Sequence, residues 1–323
     1  VDAGLLTPSR DRDDPGSDTP RRDTPRRYSL HQTVAAYALA RLTESGQRRA
    51  MELAHARYYA GLGDAAGDLI TSEEELSGLA WLDLEIDQVR RAIDWALSQS
   101  DSDGQAALRD LVSPLRNYAI TRGLFVEYGD WLEPAIAACR ALKDRSGEAN
   151  VLKAQGDVLS FQAKRDEALE KYERALGLYS AVGARLGEAN VLQAQGDVLS
   201  FQAKRDEALE KYEGALGLFQ AVGDRLGEAN VLMAQGNLEL QSGEEEKGLA
   251  LLEEARQLYS HIGARVGLAN IGIGLGRYAA AQGNFAYAIE CMQPAADFCF
   301  EIGHPLGEQL QAEIDGWRAQ MEA

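Results

Sequence analysis

From residue 145 onwards, apolar and polar positions along the chain recur with a period of forty residues. The unit 145–184 and the unit 185–224 differ at six positions: Ser146/Leu186, Lys153/Gln193, Arg174/Gly214, Tyr179/Phe219, Ser180/Gln220 and Ala184/Asp224. A third unit spans 225–264, a more diverged fourth 265–304, and 305–323 reads as one terminal capping helix. Self-similarity at a fixed period signifies a solenoid, in which each unit buries its apolar face against its neighbours. Within the second unit Ala189, Leu192, Gly196 and Leu199 recur at helical spacing and predict a first helix with one apolar stripe. Ala203, Lys204, Arg205 and Asp206 read as a tight connection. Ala208, Leu209, Tyr212, Ala215, Leu216, Phe219 and Val222 mark the buried side of a second helix, closed by Gly223 at the left-handed C-cap position. Gly196 and Ala208 are small where the two helices must approach, and Tyr212 is large enough to fill the gap to the next hairpin.

The pattern weakens upstream. Residues 105–144 read as a worn unit of the same length, with Trp131, Ala135 and Ala138 in its second helix. Residues 47–62 are amphipathic, and Ser72-Glu73-Glu74-Glu75 has the form of a capping box. The helix it opens is expected to pass, with a break, through Trp81, Leu84, Ile86, Val89, Ile93 and Trp95. Together these segments predict a helical linker or distorted first hairpin over 45–104. Residues 7–27, rich in Pro, Asp, Arg and Ser, read as a flexible loop between two short segments, 1–6 and 27–31. A helix is expected to follow over 32–42.

The repeat spacing resembles the tetratricopeptide repeat (TPR), in which a small residue, an Ala, an aromatic and a second Ala stand at fixed offsets. Here these are Gly156, Ala168, Tyr172, Ala175 and Gly196, Ala208, Tyr212, Ala215. The third and fourth units give Gly236, Gly248, Leu252, Ala255 and Gly276, Ala288, Met292, Ala295. Their lost aromatic predicts looser packing. The usual TPR period is about 34 residues, so each hairpin or its connection is longer here. The fold expected is all-α: a right-handed TPR-like α-solenoid.

The segment RRYSLHQTVAAYALARL at 26–42 resembles the end of the winged-helix module of STAND signalling ATPases of the NB-ARC type. Leu30 and His31 match the first two positions of that family's Met-His-Asp-like triplet, and Gln32 stands in place of the acid. The stretch LEIDQVRRAIDWAL at 84–97 resembles the linker before TPR arms in bacterial members, including regulators similar to the maltose activator. The resemblance implies a partial winged-helix remnant, a short β-hairpin plus helix, over 1–44. It also implies a parent that binds ADP or ATP, with His31 at the phosphates of resting-state ADP, and that oligomerises on activation. No G-x-x-x-x-G-K-[ST] loop is present in the sequence. On this reading the ATPase domain is missing upstream, and the fragment is a non-catalytic sensor arm with no cofactor of its own. The alternatives are that His31 merely caps a strand-to-helix junction and that the chain is a free-standing TPR scaffold or adaptor.

Composition narrows the partners. The net charge is −18, yet the first 27 residues carry six Arg and six Asp, so the excess acid lies in the helical body. A negative body repels phosphate backbones and argues against nucleic-acid binding by this segment. No apolar run approaches the roughly 18 residues that cross a bilayer. Cys139, Cys291 and Cys299, odd in number and sparse, do not build a disulfide framework and fit a reducing cytoplasm. His31, His55, His261 and His304 lack zinc-site spacing, so no metal is expected. The Glu244-Glu245-Glu246 run reads as a solvated turn.

In a TPR stack the first helices line the concave face. Helical periodicity turns one column of each first helix inward. Its first position is Asn150, Asn190, Asn230 and Asn270; its second is Lys153, Gln193, Met233 and Ile273; its third is Asp157, Asp197, Asn237 and Arg277. Phe161 and Phe201 lie at its edge. An asparagine amide donates and accepts, so a ladder of them can bond the backbone of an extended peptide whatever its side chains. Equally, Asn favours helix ends and can serve there as a cap. The expected partner is a protein or peptide, basic or neutral, because Asp157 and Asp197 would oppose a carboxylate.

Overall fold

A computed structural model of the protein describes residues 6–8, 28–30 and 32–322. The chain divides into two compact units, Val1–His55 and Ala56–Ala323. In the first, strands β1 (Leu6–Pro8) and β2 (Tyr28–Leu30) pair antiparallel, with Leu6 opposite Leu30. Helix α1 (Gln32–Glu44) follows and ends at Gly46, whose φ of 71° suits a residue without Cβ.

The second unit is all helix among the described residues. Helix α2 (Arg48–Ile70) begins in the first unit and buries Ala60, Gly63, Ala66 and Ile70 in the second. Helix α3 (Glu75–Leu97) packs Gly78 against it so closely that an added Cβ would lie 2.7 Å from the Ala66 carbonyl oxygen. The capping box expected at Ser72 does not form. Ser72 donates to the Leu69 carbonyl at 2.8 Å and accepts from the Glu74 N–H at 3.1 Å, so it closes a turn ahead of the helix. Nor does α3 break; Val89 and Ile93 are buried, whereas Trp81 and Leu84 are exposed.

The worn hairpin has a fractured first helix: α4 (Ser102–Val112), a 3-10 turn (Ser113–Leu115) and α5 (Arg116–Thr121). Pro114 sits in that turn, where its missing N–H and fixed φ interrupt the helical ladder. Helix α6 (Phe125–Leu142) turns Trp131, Ala135 and Ala138 inward. Four regular hairpins follow: α7 (Arg145–Phe161) with α8 (Arg165–Val182), α9 (Arg185–Phe201) with α10 (Arg205–Val222), α11 (Arg225–Gln241) with α12 (Glu245–Ile262), and α13 (Arg265–Ala281) with α14 (Phe285–Glu301). Helix α15 (Leu306–Glu322) covers the end of the stack.

Each hairpin is closed by a large side chain on a glycine. A Cβ on Gly156 would meet the Tyr172 ring at 2.5 Å, and one on Gly196 would meet Tyr212 at 2.6 Å. Tyr212 thus fills the gap inside its own hairpin first, and only then joins Val231 and Leu238 of the next helix in one apolar cluster. The looser packing expected of units three and four is not found. Leu252 and Met292 are fully buried, and Gly236 and Gly248 bring α11 and α12 close enough that a Cβ on either would lie about 3 Å from the other's carbonyl oxygen. Stacking between hairpins reuses the device, with Tyr179, Phe219 and Tyr259 lying on Gly187, Gly227 and Gly267.

Two local expectations need correction. Arg205 and Asp206 belong to α10, and the tight turn is made by Ala203 at φ 58°. Val222 is exposed, because Phe219 already fills the inner side of that last turn. Helices α8, α10 and α12 end on left-handed Gly183, Gly223 and Gly263, as their sequence implies. Successive first helices touch, α7 with α9, α9 with α11 and α11 with α13. They form the inner layer of a TPR-like α-solenoid.

Candidate functional site

The inner column of the first helices carries the residues singled out from the sequence, but most of them face one another before they face solvent. Asn150 and Asn230 are tied down. Their side-chain oxygens accept the hydroxyls of Tyr179 and, at 2.6 Å, Tyr259, so only their amide N–H groups remain to offer. Asn190 has Phe219 where the others have tyrosine, and Asn270 has Cys299, and among the described residues neither oxygen accepts a hydrogen bond. Among the described residues the asparagine column thus alternates, with bonded oxygens at 150 and 230 and unbonded ones at 190 and 270.

The third column position divides in the same way. Asp157 is a buried hub that accepts Arg116 Nη1 at 2.6 Å, Lys153 Nζ at 3.0 Å and the Tyr172 hydroxyl at 2.7 Å. Burial alone would raise its pKa, but Lys153 and Arg116, then the Tyr172 hydrogen bond, outweigh it and hold the carboxyl below the usual range. Burial pulls the Lys153 ammonium down from its ordinary value. Both residues are engaged within the chain. Asp197, at the same position of an almost identical helix, is half-buried and receives only the Tyr212 hydroxyl, at 2.8 Å. No basic side chain among the described residues lies within ion-pair distance of it. Burial pushes its carboxyl up to about 6, against the Tyr212 bond and Lys153, with Asp157 adding to the rise.

Gln193 and Asn237 are half-buried and make no side-chain hydrogen bond among the described residues. Arg277 is paired bidentately with Glu313 of α15, at 2.7 and 3.0 Å, and so belongs to the end cover rather than to an open groove. Phe161 and Phe201 remain 62% and 72% exposed; Phe161 stacks on Phe125, and Arg165 lies over Phe201. His31 lies outside the described residues. Beyond the first rung a cleft between α2, α4 and α7 is lined by Asp64, Arg109, Asp110, Asp144 and Asn150.

Sequence reasoning missed two ionic groups. Arg116, just past the 3-10 turn at Pro114, reaches Asp157. Glu239 is fully buried, bonded to Arg205 and 2.5 Å from Lys247. Its signal was present: position 239 reads Leu159 and Leu199 in the earlier units, and Lys247 replaces Glu167 and Glu207, so acid and base enter the third unit together. Among the described residues no group of acids, histidines and cysteines could hold a metal ion, and no helix is long and apolar enough to cross a membrane.

No protein-family model matches the chain, and no curated protein matches it. Solved structures do. The apo form of RapI superposes with TM-score 0.61 at 12% identity, covering 84% of this chain and 93% of its own. The Rap conjugation gene regulator of plasmid pLS20, solved with the Phr* peptide, gives TM-score 0.57 at 15% identity, covering 80% and 78%. A STAND protein with a tetratricopeptide repeat sensor, PH0952 from Pyrococcus horikoshii, gives TM-score 0.52 at 15% identity, covering 75% of this chain and 40% of that protein. At these identities the likeness is one of fold.

Proposed function

We propose that this array is a non-catalytic protein- or peptide-binding sensor arm whose ligand lies along the first helices. The observation that carries the reading is the stretch of polar groups at Asn190, Gln193 and Asn237, unbonded among the described residues and next to the half-buried Asp197, on the inner column of the stack. Gln193 and Asn237 are half-buried and Asn190 is exposed, so all three are within reach of an extended chain, which can pair them. The peptide complex of the pLS20 regulator supports this use of the fold.

The finer reading is that the arm belongs to a STAND-type signal-transduction ATPase or transcriptional regulator. Its support is the Leu30-His31 match, the paired strands β1 and β2 followed by α1, and the TPR-sensor STAND protein among the structural neighbours. ADP or ATP would then bind in the missing upstream domain, with His31 at its phosphates, and activation would oligomerise the parent in the cytoplasm. Reading the gene upstream of the Val1 codon tests this: a phosphate-binding loop is expected, and its absence sinks the STAND assignment. For the groove itself, a photo-crosslinker at Gln193 should capture a partner from native lysate. The same group at Glu213, exposed on the second helix, should not. Equal capture at both positions contradicts the groove.

A further inference from the structure

The first two units are an internal control. From Gly147 and Gly187 onward their first helices read GEANVLKAQGDVLSF and GEANVLQAQGDVLSF, which differ only at Lys153/Gln193. In the first, the aspartate is filled by an ammonium at 3.0 Å and a guanidinium at 2.6 Å from its own chain. In the second, Gln193 replaces the lysine, the guanidinium has no counterpart, and the same aspartate keeps only its tyrosine. A half-buried carboxylate without a cation is costly, and a matching charge recovers that cost. Asn190 and Gln193, on the same face, leave amides free to hold the backbone around that charge.

We infer that Asp197 is a specificity subsite that takes the ammonium or guanidinium of a lysine or arginine side chain in a bound peptide, with Asn190 and Gln193 bonding the adjacent peptide backbone. The inference rests on the groove reading above and deepens it. The charged groups facing Asp197 are Lys153 and Asp157 of α7, besides the Tyr212 hydroxyl of α10. Lys153 is itself held by Asp157, so it does not compete for the site.

The test uses acetylated, amidated octapeptide pools, random except for one position fixed as Lys, Arg, norleucine or Glu, with binding read by fluorescence polarisation. The full chain should hold the Lys and Arg pools about tenfold more tightly than norleucine, the worth of a charge-assisted bond, and the Glu pool least. In Asp197→Asn and in Gln193→Lys the Lys-to-norleucine ratio should fall to about one. Gln193→Lys rebuilds the pair that unit one already folds with, so it guards against a variant lost to misfolding; a thermal melt confirms this. A ratio near one in the unaltered chain, or one that survives both substitutions, overturns the subsite. If the norleucine pool still binds and is lost in Asn190→Ala, the groove stands without the subsite. If no pool binds, both fall.

Discussion

Units one and two share nearly every residue but solve the same position in opposite ways. Asp157 is saturated by Arg116, Lys153 and Tyr172, whereas Asp197 holds only Tyr212. Asn150 is bonded by Tyr179, whereas Asn190 lies opposite Phe219 and is not. Lys153/Gln193 and the lack of a counterpart to Arg116 make the first contrast, and Tyr179/Phe219 makes the second. Duplication thus kept the scaffold, and a few substitutions released polar groups in one copy that the other spends on its own stability.

The largest expected effect separates the two aspartates. Asp157→Asn strands Lys153 and Arg116 in a buried site and should cost about 3–5 kcal/mol in denaturant unfolding, the usual result of breaking a buried pair. Because its native carboxyl is depressed, the stability it lends is complete above the ordinary Asp pKa and is lost as pH falls through the lower native value. Asp197→Asn should do the reverse and stabilise the array by roughly 1–3 kcal/mol at pH 7. Its native carboxyl is raised to about 6. Between the ordinary Asp pKa and that value the folded state holds a proton that the unfolded chain has released. Stability should therefore fall as pH rises through this window and level off above it. Melting curves across the window should show that slope in the difference between the unaltered chain and Asp197→Asn.

How much of this was legible beforehand divides along the same line. The period, the two-helix unit, the glycine caps and the close packing at Gly156 and Gly196 follow from spacing, because helix faces and small residues leave a pattern. The asparagine column was legible as a column, but its division of labour was not. That depends on a tyrosine 29 residues away in Asn150 and Asn230, a separation that only the folded hairpin makes short. Arg116 was hidden behind the break at Pro114, since a periodic template assumes an unbroken first helix. The failed capping box at Ser72 has a simpler cause: the serine found nearer partners in its own turn.

A smaller effect sharpens the asparagine contrast. Phe219→Tyr should give Asn190 the bond that Asn150 and Asn230 already have, adding roughly 0.5–1.5 kcal/mol of stability while weakening retention of the norleucine pool. Equal stability and unchanged binding would argue that the tyrosine bonds at 150 and 230 are incidental. The smallest effect should be blind to the comparison. Ala163 and Ala203 both hold left-handed φ, near 59° and 58°, where units three and four use Gly243 and Gly283. Glycine at either position should stabilise by about 0.5–1 kcal/mol, and by the same amount in both units, because the turns are alike. Unequal gains in thermal melts would mean that the scaffolds of the two units differ as well as their polar groups.

The difference between the two aspartates is most directly read by carbon-detected NMR titration of their side-chain carboxyls in the intact chain. Asp197 is expected to titrate near 6 and Asp157 below the ordinary aspartate range. If the two carboxyls titrated together, near the value of an exposed aspartate, the closed hub in one unit and the open subsite in the other would both be contradicted.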